Sequence, residues 1–282
     1  MYADDYIASI VGPPPPGPPA TVDEVLAMRA GSRERARLRP PGPDMPVTSG
    51  QIGRISVRRY RQGPDRIVFA HGGGFVLGDL ETHDAFCRRI AAATGHTVVA
   101  VDYRRAPEHP FPAAVDDVVA VVEHELADGG RVAVAGDSAG GFLAIQAALR
   151  FRERLSGQLL TCPLADLALA EPSVAEKGSG YTLEIRDLRE WLTWWAPDGA
   201  PDVSPLEADL TGLPPALVVT AEHDPLRDGG ARYASRLRRA GVAVRHRTEP
   251  GLVHNFSTMT HVSTGSAAAD HRFLADAAAL TR

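Results

Sequence analysis

The 282-residue chain holds 30 lysines and arginines against 35 aspartates and glutamates, a formal charge of −5, and its run Arg33-Glu34-Arg35-Ala36-Arg37 is short and mixed in sign, which argues against a nucleic-acid partner. With 44% hydrophobic and 23% charged residues it has the balance of a globular protein, long enough for one large α/β domain over residues 1–282. No apolar run approaches the roughly 20 residues that cross a bilayer, the start Met1-Tyr2-Ala3-Asp4-Asp5 lacks signal-peptide character, and Cys87 and Cys162 read as small buried hydrophobes, so a cytoplasmic protein without stable membrane insertion or a disulfide framework is expected.

Pro13 to Pro16, Pro18 and Pro19 form a stiff extended segment without N–H donors. Thr21, with Glu24 three residues on, reads as a capping box opening a short helix in which Val22, Val25 and Leu26 share one apolar face. Pro40, Pro41, Pro43 and Pro46 end it, and residues 1–50 read as an arm outside the central sheet. Arg54 to Arg58 alternates as an edge strand does. Buried strands follow at 66–70, 97–101, 132–135, 158–162, 216–220 and 242–246, interleaved with helices at 82–94, 113–127, 140–152, 231–240 and 267–280. Short, continuously apolar strands alternating with helices predict an α/β fold with a mostly parallel sheet flanked by helices on both faces. In such sheets chemistry sits where strands end and loops begin.

Four segments at such junctions carry the functional signal. Gly136-Asp137-Ser138-Ala139-Gly140 fits G-x-S-x-G between a strand and a helix, the context of a nucleophile elbow, and makes Ser138 the candidate nucleophile at a helix N-terminus that favours negative charge. His71-Gly72-Gly73-Gly74-Phe75 follows the strand 66–70. Three successive glycines suit a backbone that approaches a ligand closely, and this loop type places oxyanion donors at the amides of Gly73 and Gly74, joined by that of Ala139. The order Ser, acid, His then selects Asp224 in Glu222-His223-Asp224-Pro225, with Glu222 and Asp228 as competitors, and His254 in Val253-His254-Asn255 as the base; His223, His246, His261 and His271 suit surface or structural roles. His71 reads as a loop-bracing donor.

With Asp102-Tyr103-Arg104, Pro107-Glu108-His109-Pro110-Phe111-Pro112-Ala113-Ala114, Asp116-Asp117 and Asp224-Pro225-Leu226 added, the chain resembles the hormone-sensitive-lipase-like (bacterial family IV) esterases of the α/β-hydrolase superfamily over about residues 50–280. The resemblance implies a carboxylesterase that needs no metal and no cofactor, acts on short- to medium-chain acyl esters, and exists as a monomer or homodimer. It also implies a helical cap, which falls here on about 1–48 and 168–202, and it offers Asp137 and Glu108 as residues that brace the elbow and loops, ordinary turn and salt-bridge duty being the alternative, and Asp79 as a loop-fixing residue. Asn255, where glycine is usual, Arg105, where leucine is usual, and a short stretch from Asp166 to Val203 depart from the pattern.

The second cap segment holds Leu188, Trp191 and Trp195 at helical spacing, with Trp194 beside them. Either this helix packs its aromatic face on the core, or an indole lines the substrate pocket. Two further readings stay open: an amidase, deacetylase or acyltransferase using the same residues, and a non-catalytic ligand-binding protein on the same fold.

Overall fold

The computed structural model describes residues 1–13, 17–18, 21–61, 63–199 and 204–282; Pro14 to Pro16 and Pro19 of the proline segment and the end of the expected second cap segment, residues 200–202, lie outside them. Among the described residues eight strands make one sheet: β1 (Val47–Ile52), β2 (Ile55–Tyr60), β3 (Arg66–Ala70), β4 (Thr97–Asp102), β5 (Val132–Asp137), β6 (Gly157–Thr161), β7 (Ala216–His223) and β8 (Val244–Val253), in the order β1-β2-β4-β3-β5-β6-β7-β8. β1 pairs antiparallel with β2, and β2 with β4; every later pairing is parallel. The helices are α1 (Asp5–Ile10), α2 (Val22–Arg37), α3 (Asp84–Thr94), α4 (Ala113–Ala127), α5 (Ala139–Phe151), α6 (Pro172–Lys177), α7 (Ile185–Trp195), α8 (Arg227–Arg239) and α9 (Thr264–Leu280).

Strand alternation divides the interior into two cores. Ile67, Phe69, Val98 and Ala100 point to a face covered by α3 and α9, through Phe86, Ile90, Phe273 and Ala277, with Ile7 of α1. Val68, Ala70, Val99 and Val101 point the other way, to a larger core that takes in α4, α5, α7 and α8 and Val25 of α2. Burial on both faces is why these strands read as unbroken apolar runs. The expected strands and helices all occur, with shifted ends. β8 runs on to Val253, past the expected 246, because an irregularity between Ala221 and His223 keeps it paired with β7.

Two expectations for the arm need correction. Its last residues enter the sheet as β1, whose Thr48-Ser49-Gly50-Gln51 centre is exposed and polar and so shows no apolar alternation. The capping box at Thr21 and Glu24 is present, but Val22 and Leu26 are 47% and 48% exposed, and only Val25 and Arg29 of α2 are buried. α1, which the sequence reading did not anticipate, is six residues long and too short to stand alone. It is held by Ile7 in the core and by Asp4, which accepts from the Ile7 N–H (3.0 Å), the Ser263 hydroxyl (2.6 Å) and the Gly265 N–H (2.8 Å). Among the described residues no helix is long and apolar enough to cross a membrane.

Candidate active site

The C-terminal ends of β3, β5, β7 and β8 converge on one place. β5 runs straight into Ser138, which sits at φ 54°, ψ −122°, a backbone region costing about 1–3 kcal/mol for a non-glycine residue. The strain is held by backbone bonds on both sides: the Ser138 N–H donates to Thr161 O (3.0 Å), and its carbonyl accepts from Leu164 N–H (2.9 Å). The turn is so tight that a Cβ on Gly136 would collide with the Gly140 carbonyl. Ala139 opens α5, so its N–H has no carbonyl a turn earlier in the helix and is free to point at a ligand.

Ser138 Oγ lies 3.0 Å from His254 Nε2, and His254 Nδ1 lies 2.9 Å from Asp224 Oδ2. The other Asp224 oxygen accepts from Leu226 N–H (2.8 Å), so the carboxylate is anchored in the turn after β7. All three side chains are buried; Ser138, the most open, is 6% exposed. The competitors lie elsewhere: Glu222 accepts from Gly251 N–H (2.6 Å), and Asp228 pairs with Arg227 and accepts from Ser173 N–H. His223 stands between Tyr2 and Tyr181 with Nε2 3.3 Å from Met1 O, His246 lies in β8, and His261 and His271 are exposed. Asn255 has φ 60°, the left-handed region where glycine is free and asparagine is the tolerated substitute. The Cys162 sulfur shares this pocket, with its ligand atom and those of Asp224 and His254 all within 4.8 Å of one another; burial, then the Asp224 charge, hold the thiol well above its ordinary range, so it is a neutral packing group.

The glycine loop after β3 is shaped by four positive φ angles, at Gly73, Gly74, Phe75 and Gly78. A Cβ on Gly74 would meet the Trp191 ring of α7 as well as a φ of 61°, so both packing and backbone require glycine there. Asp137 joins this loop to the elbow. Its Oδ1 accepts from Gly72 N–H (2.9 Å) and its Oδ2 lies 3.3 Å from His83 Nε2. Burial works against its charge, but the His83 charge and hydrogen bond and the Gly72 N–H outweigh it and hold the carboxyl below the usual range; burial likewise opposes the His83 charge, and Asp137 raises it.

His71 stacks on Tyr103 with ring centroids 4.2 Å apart and bonds the Gly72 carbonyl through Nδ1 (2.9 Å). Burial first, then the His83 and Arg105 charges, push its pKa down to about 3, so the imidazole is neutral at ordinary pH. The loop's far half is held by side chains the sequence did not connect to it. Arg29 of α2 donates to Val76 O (2.7 Å), Arg33 of α2 to Asp79, and Arg105 to Gly78 O. Arg105, a departure from the family pattern, thus serves the loop, with Asp102 3.5 Å away.

The tryptophans divide. Trp195 is 1% exposed and stacks on Phe75 (4.1 Å, 12°) with its edges against Phe142 and Phe111, which makes it core. Trp191 covers Gly74, and Trp194 is half-buried. A cavity of about 290 Å³ opens beside Leu167, Leu192 and Trp195.

A strained serine on a strand-to-helix turn, over a doubly covered parallel sheet, defines an α/β-hydrolase. The chain matches the alpha/beta hydrolase fold family over residues 67–258. It is 40% identical to the carboxylesterase NlhH of Mycobacterium tuberculosis, covering 86% of each chain, and 39% identical to the carboxylic ester hydrolase LipN of that organism, covering 90% of this chain and 76% of the relative. In structure it is similar to a hyperthermophilic esterase from the archaeon Pyrobaculum calidifontis, with a TM-score of 0.81, 34% identity, and 91% and 93% of the two chains covered. It is also similar to a thermophilic and thermostable carboxylesterase cloned from a metagenomic library, with a TM-score of 0.83, 33% identity, and 92% and 98% covered. The chain belongs to the α/β-hydrolase family, in its hormone-sensitive-lipase-like group of esterases.

Proposed function

We propose that this protein is a carboxylic ester hydrolase acting on short- to medium-chain acyl esters, with Ser138 as nucleophile, His254 as base and Asp224 as its partner. The observation that carries the reading is the continuous chain Ser138 Oγ–His254 Nε2 (3.0 Å) and His254 Nδ1–Asp224 Oδ2 (2.9 Å), ending on a serine held at φ 54°. In this reading Nε2 accepts the hydroxyl proton as Oγ attacks the ester carbonyl, and Nδ1–H donates to Asp224, which stabilises the imidazolium. The carbonyl oxygen gains its charge facing the amides of Gly73, Gly74 and Ala139. His254 gives the proton to the leaving alcohol, and water repeats the sequence on the acyl-enzyme.

We assign the cap to about residues 1–48 and 168–202, with Trp191, packed against Gly74 of the oxyanion loop, as the indole that borders the substrate. The test is hydrolysis of p-nitrophenyl esters from acetate to decanoate by wild type and Ser138→Ala, without added metal. Activity that vanishes in the variant and peaks below decanoate is the expected result. Well-folded wild type inert on every ester would overturn the reading.

A further inference from the structure

We infer that α2 acts on the reaction through Arg29, a positioning residue that holds the oxyanion loop in its amide-presenting shape, so that docking of the N-terminal helix and assembly of the oxyanion hole are one event. This inference rests on the proposed role of Gly73 and Gly74.

A loop with four positive φ angles in nine residues has little intrinsic preference for its shape and must be fastened from outside. Near β3 the fastener is Asp137. Beyond Gly74 it is a set of guanidinium groups. Arg29 uses every nitrogen of its fork: Nε donates to Val76 O (2.7 Å), Nη2 to Ala106 O (2.7 Å), and Nη1 and Nη2 grip the two Glu108 oxygens (2.6 and 2.9 Å). The Ala106 N–H in turn donates to Phe75 O (3.0 Å), so Arg29 closes a ring through the residue that follows Gly74. Arg29 hydrogen bonding, against the opposing effect of burial, holds the Glu108 carboxyl below the usual glutamate range. One turn later Arg33 pairs with Asp79, whose Oδ1 caps the N–H groups of Glu81 (3.0 Å) and Thr82 (2.8 Å).

The same contacts dock the helix. α2 has 16 residues, yet only Val25 and Arg29 are buried, while Val22, Leu26 and Met28 face solvent. A helix without a broad apolar seat depends on its polar anchor, and here that anchor is the oxyanion loop at Val76 together with the Ala106–Glu108 segment bonded to that loop through Phe75. Releasing α2 takes away the Val76, Ala106 and Glu108 contacts together. A helix that merely roofed the substrate would alter substrate affinity; one that shapes the hole alters transition-state stabilisation.

Three measurements on wild type, Ser138→Ala, Arg29→Met, Arg29→Lys and Arg33→Met test this. The first is kcat and KM on p-nitrophenyl butyrate. The second is inhibition by an alkyl trifluoromethyl ketone, whose serine adduct carries an oxyanion. The third is amide hydrogen exchange over residues 71–79. Arg29→Met is expected to lose about 10- to 100-fold in kcat with KM within about threefold, to weaken ketone inhibition in parallel, and to exchange faster over 71–79. Arg29→Lys should recover part of this and exposed Arg33→Met should show the same pattern more weakly. Unchanged kcat and ketone inhibition, or unchanged exchange over 71–79 in both Arg29 variants, overturns the inference; so does a rise in KM alone. If Arg29→Met does not fold, Arg29→Lys and Arg33→Met decide by the same criteria. Wild type inert on esters overturns the functional reading instead, and exchange over 71–79 still decides whether Arg29 holds the loop.

Discussion

The elbow and the glycine loop face the same space and are built in opposite ways. The elbow is held by its own backbone, with Ser138 bonded to Thr161 and Leu164 between a buried strand and a buried helix. The loop is held by side chains from afar: Asp137 from β5, Arg29 and Arg33 from α2, Arg105 from the turn after β4 and Trp191 from α7. The elbow is rigid because the fold is; the loop is rigid only while its partners stay. Changes at the elbow and its partners should therefore abolish chemistry, and changes around the loop should grade it.

The largest effect is expected at the buried chain of hydrogen bonds. Asp224→Asn should lower kcat by about 10⁴-fold by favouring the wrong imidazole tautomer, while Glu222→Gln, two residues away, should leave kcat within about threefold. Equal losses in the two, measured on one ester, would reject Asp224 as the partner of His254. Next comes Gly74→Ala, which adds a Cβ against Trp191 at a positive φ and should cost about 10²–10³ in kcat, the range for loss of one oxyanion donor. Combining it with Trp191→Ala relieves the collision but leaves the backbone strain, so partial recovery is expected; strict additivity would separate the two sites.

A smaller effect concerns stability and pH. His71 titrates near 3 in the folded protein, and near the ordinary 6.5 when unfolded. Between those values the unfolded chain binds a proton that the folded chain refuses, so this contribution is complete above 6.5 and is lost as pH falls towards 3. Lowering pH from 7 to 5 should cost wild type about 2 kcal/mol through this residue. His83 works the other way, its raised pKa giving stability that is lost as pH rises. The contribution of His71 is therefore read as the difference between wild type and His71→Asn in urea titrations at the two pH values, and no change in that difference would contradict a neutral buried His71. The smallest effect is expected for Asn255→Gly, which relieves φ 60° but loosens the unfolded chain; stability within about 1 kcal/mol of wild type and unaltered kcat are expected, from the same titrations and an ester assay.

The same contrast explains what was readable in advance. Ser138 and its glycines stand in one five-residue window, and Gly72 to Gly74 in another, because the backbone angles both turns need restrict the residue types at consecutive positions. His254 and Asp224 needed only strand ends and chain order. Arg29 could not be seen as part of the site: its partners lie 47 to 79 residues away, and on the helix it looks like one more surface arginine beside Val25. Arg105 was visible only as an oddity, and β1 was hidden because an exposed edge strand bears no apolar pattern. The tryptophans had two readings because helical spacing places Trp191 and Trp195 on one face without saying what that face meets; Phe75 and Gly74 answer it.

By itself, then, the amino-acid order determined the alternation of strands and helices, the elbow, the place of the glycine loop and the candidates for the triad, since each is marked by local residue types or by apolar periodicity. Only the tertiary structure decided how β8 extends to deliver His254, that α2 is seated by an arginine and not by an apolar stripe, and which distant guanidinium groups hold the loop. Those are contacts between segments that share no neighbourhood in the chain, and their energies exist only once the sheet has brought the segments together.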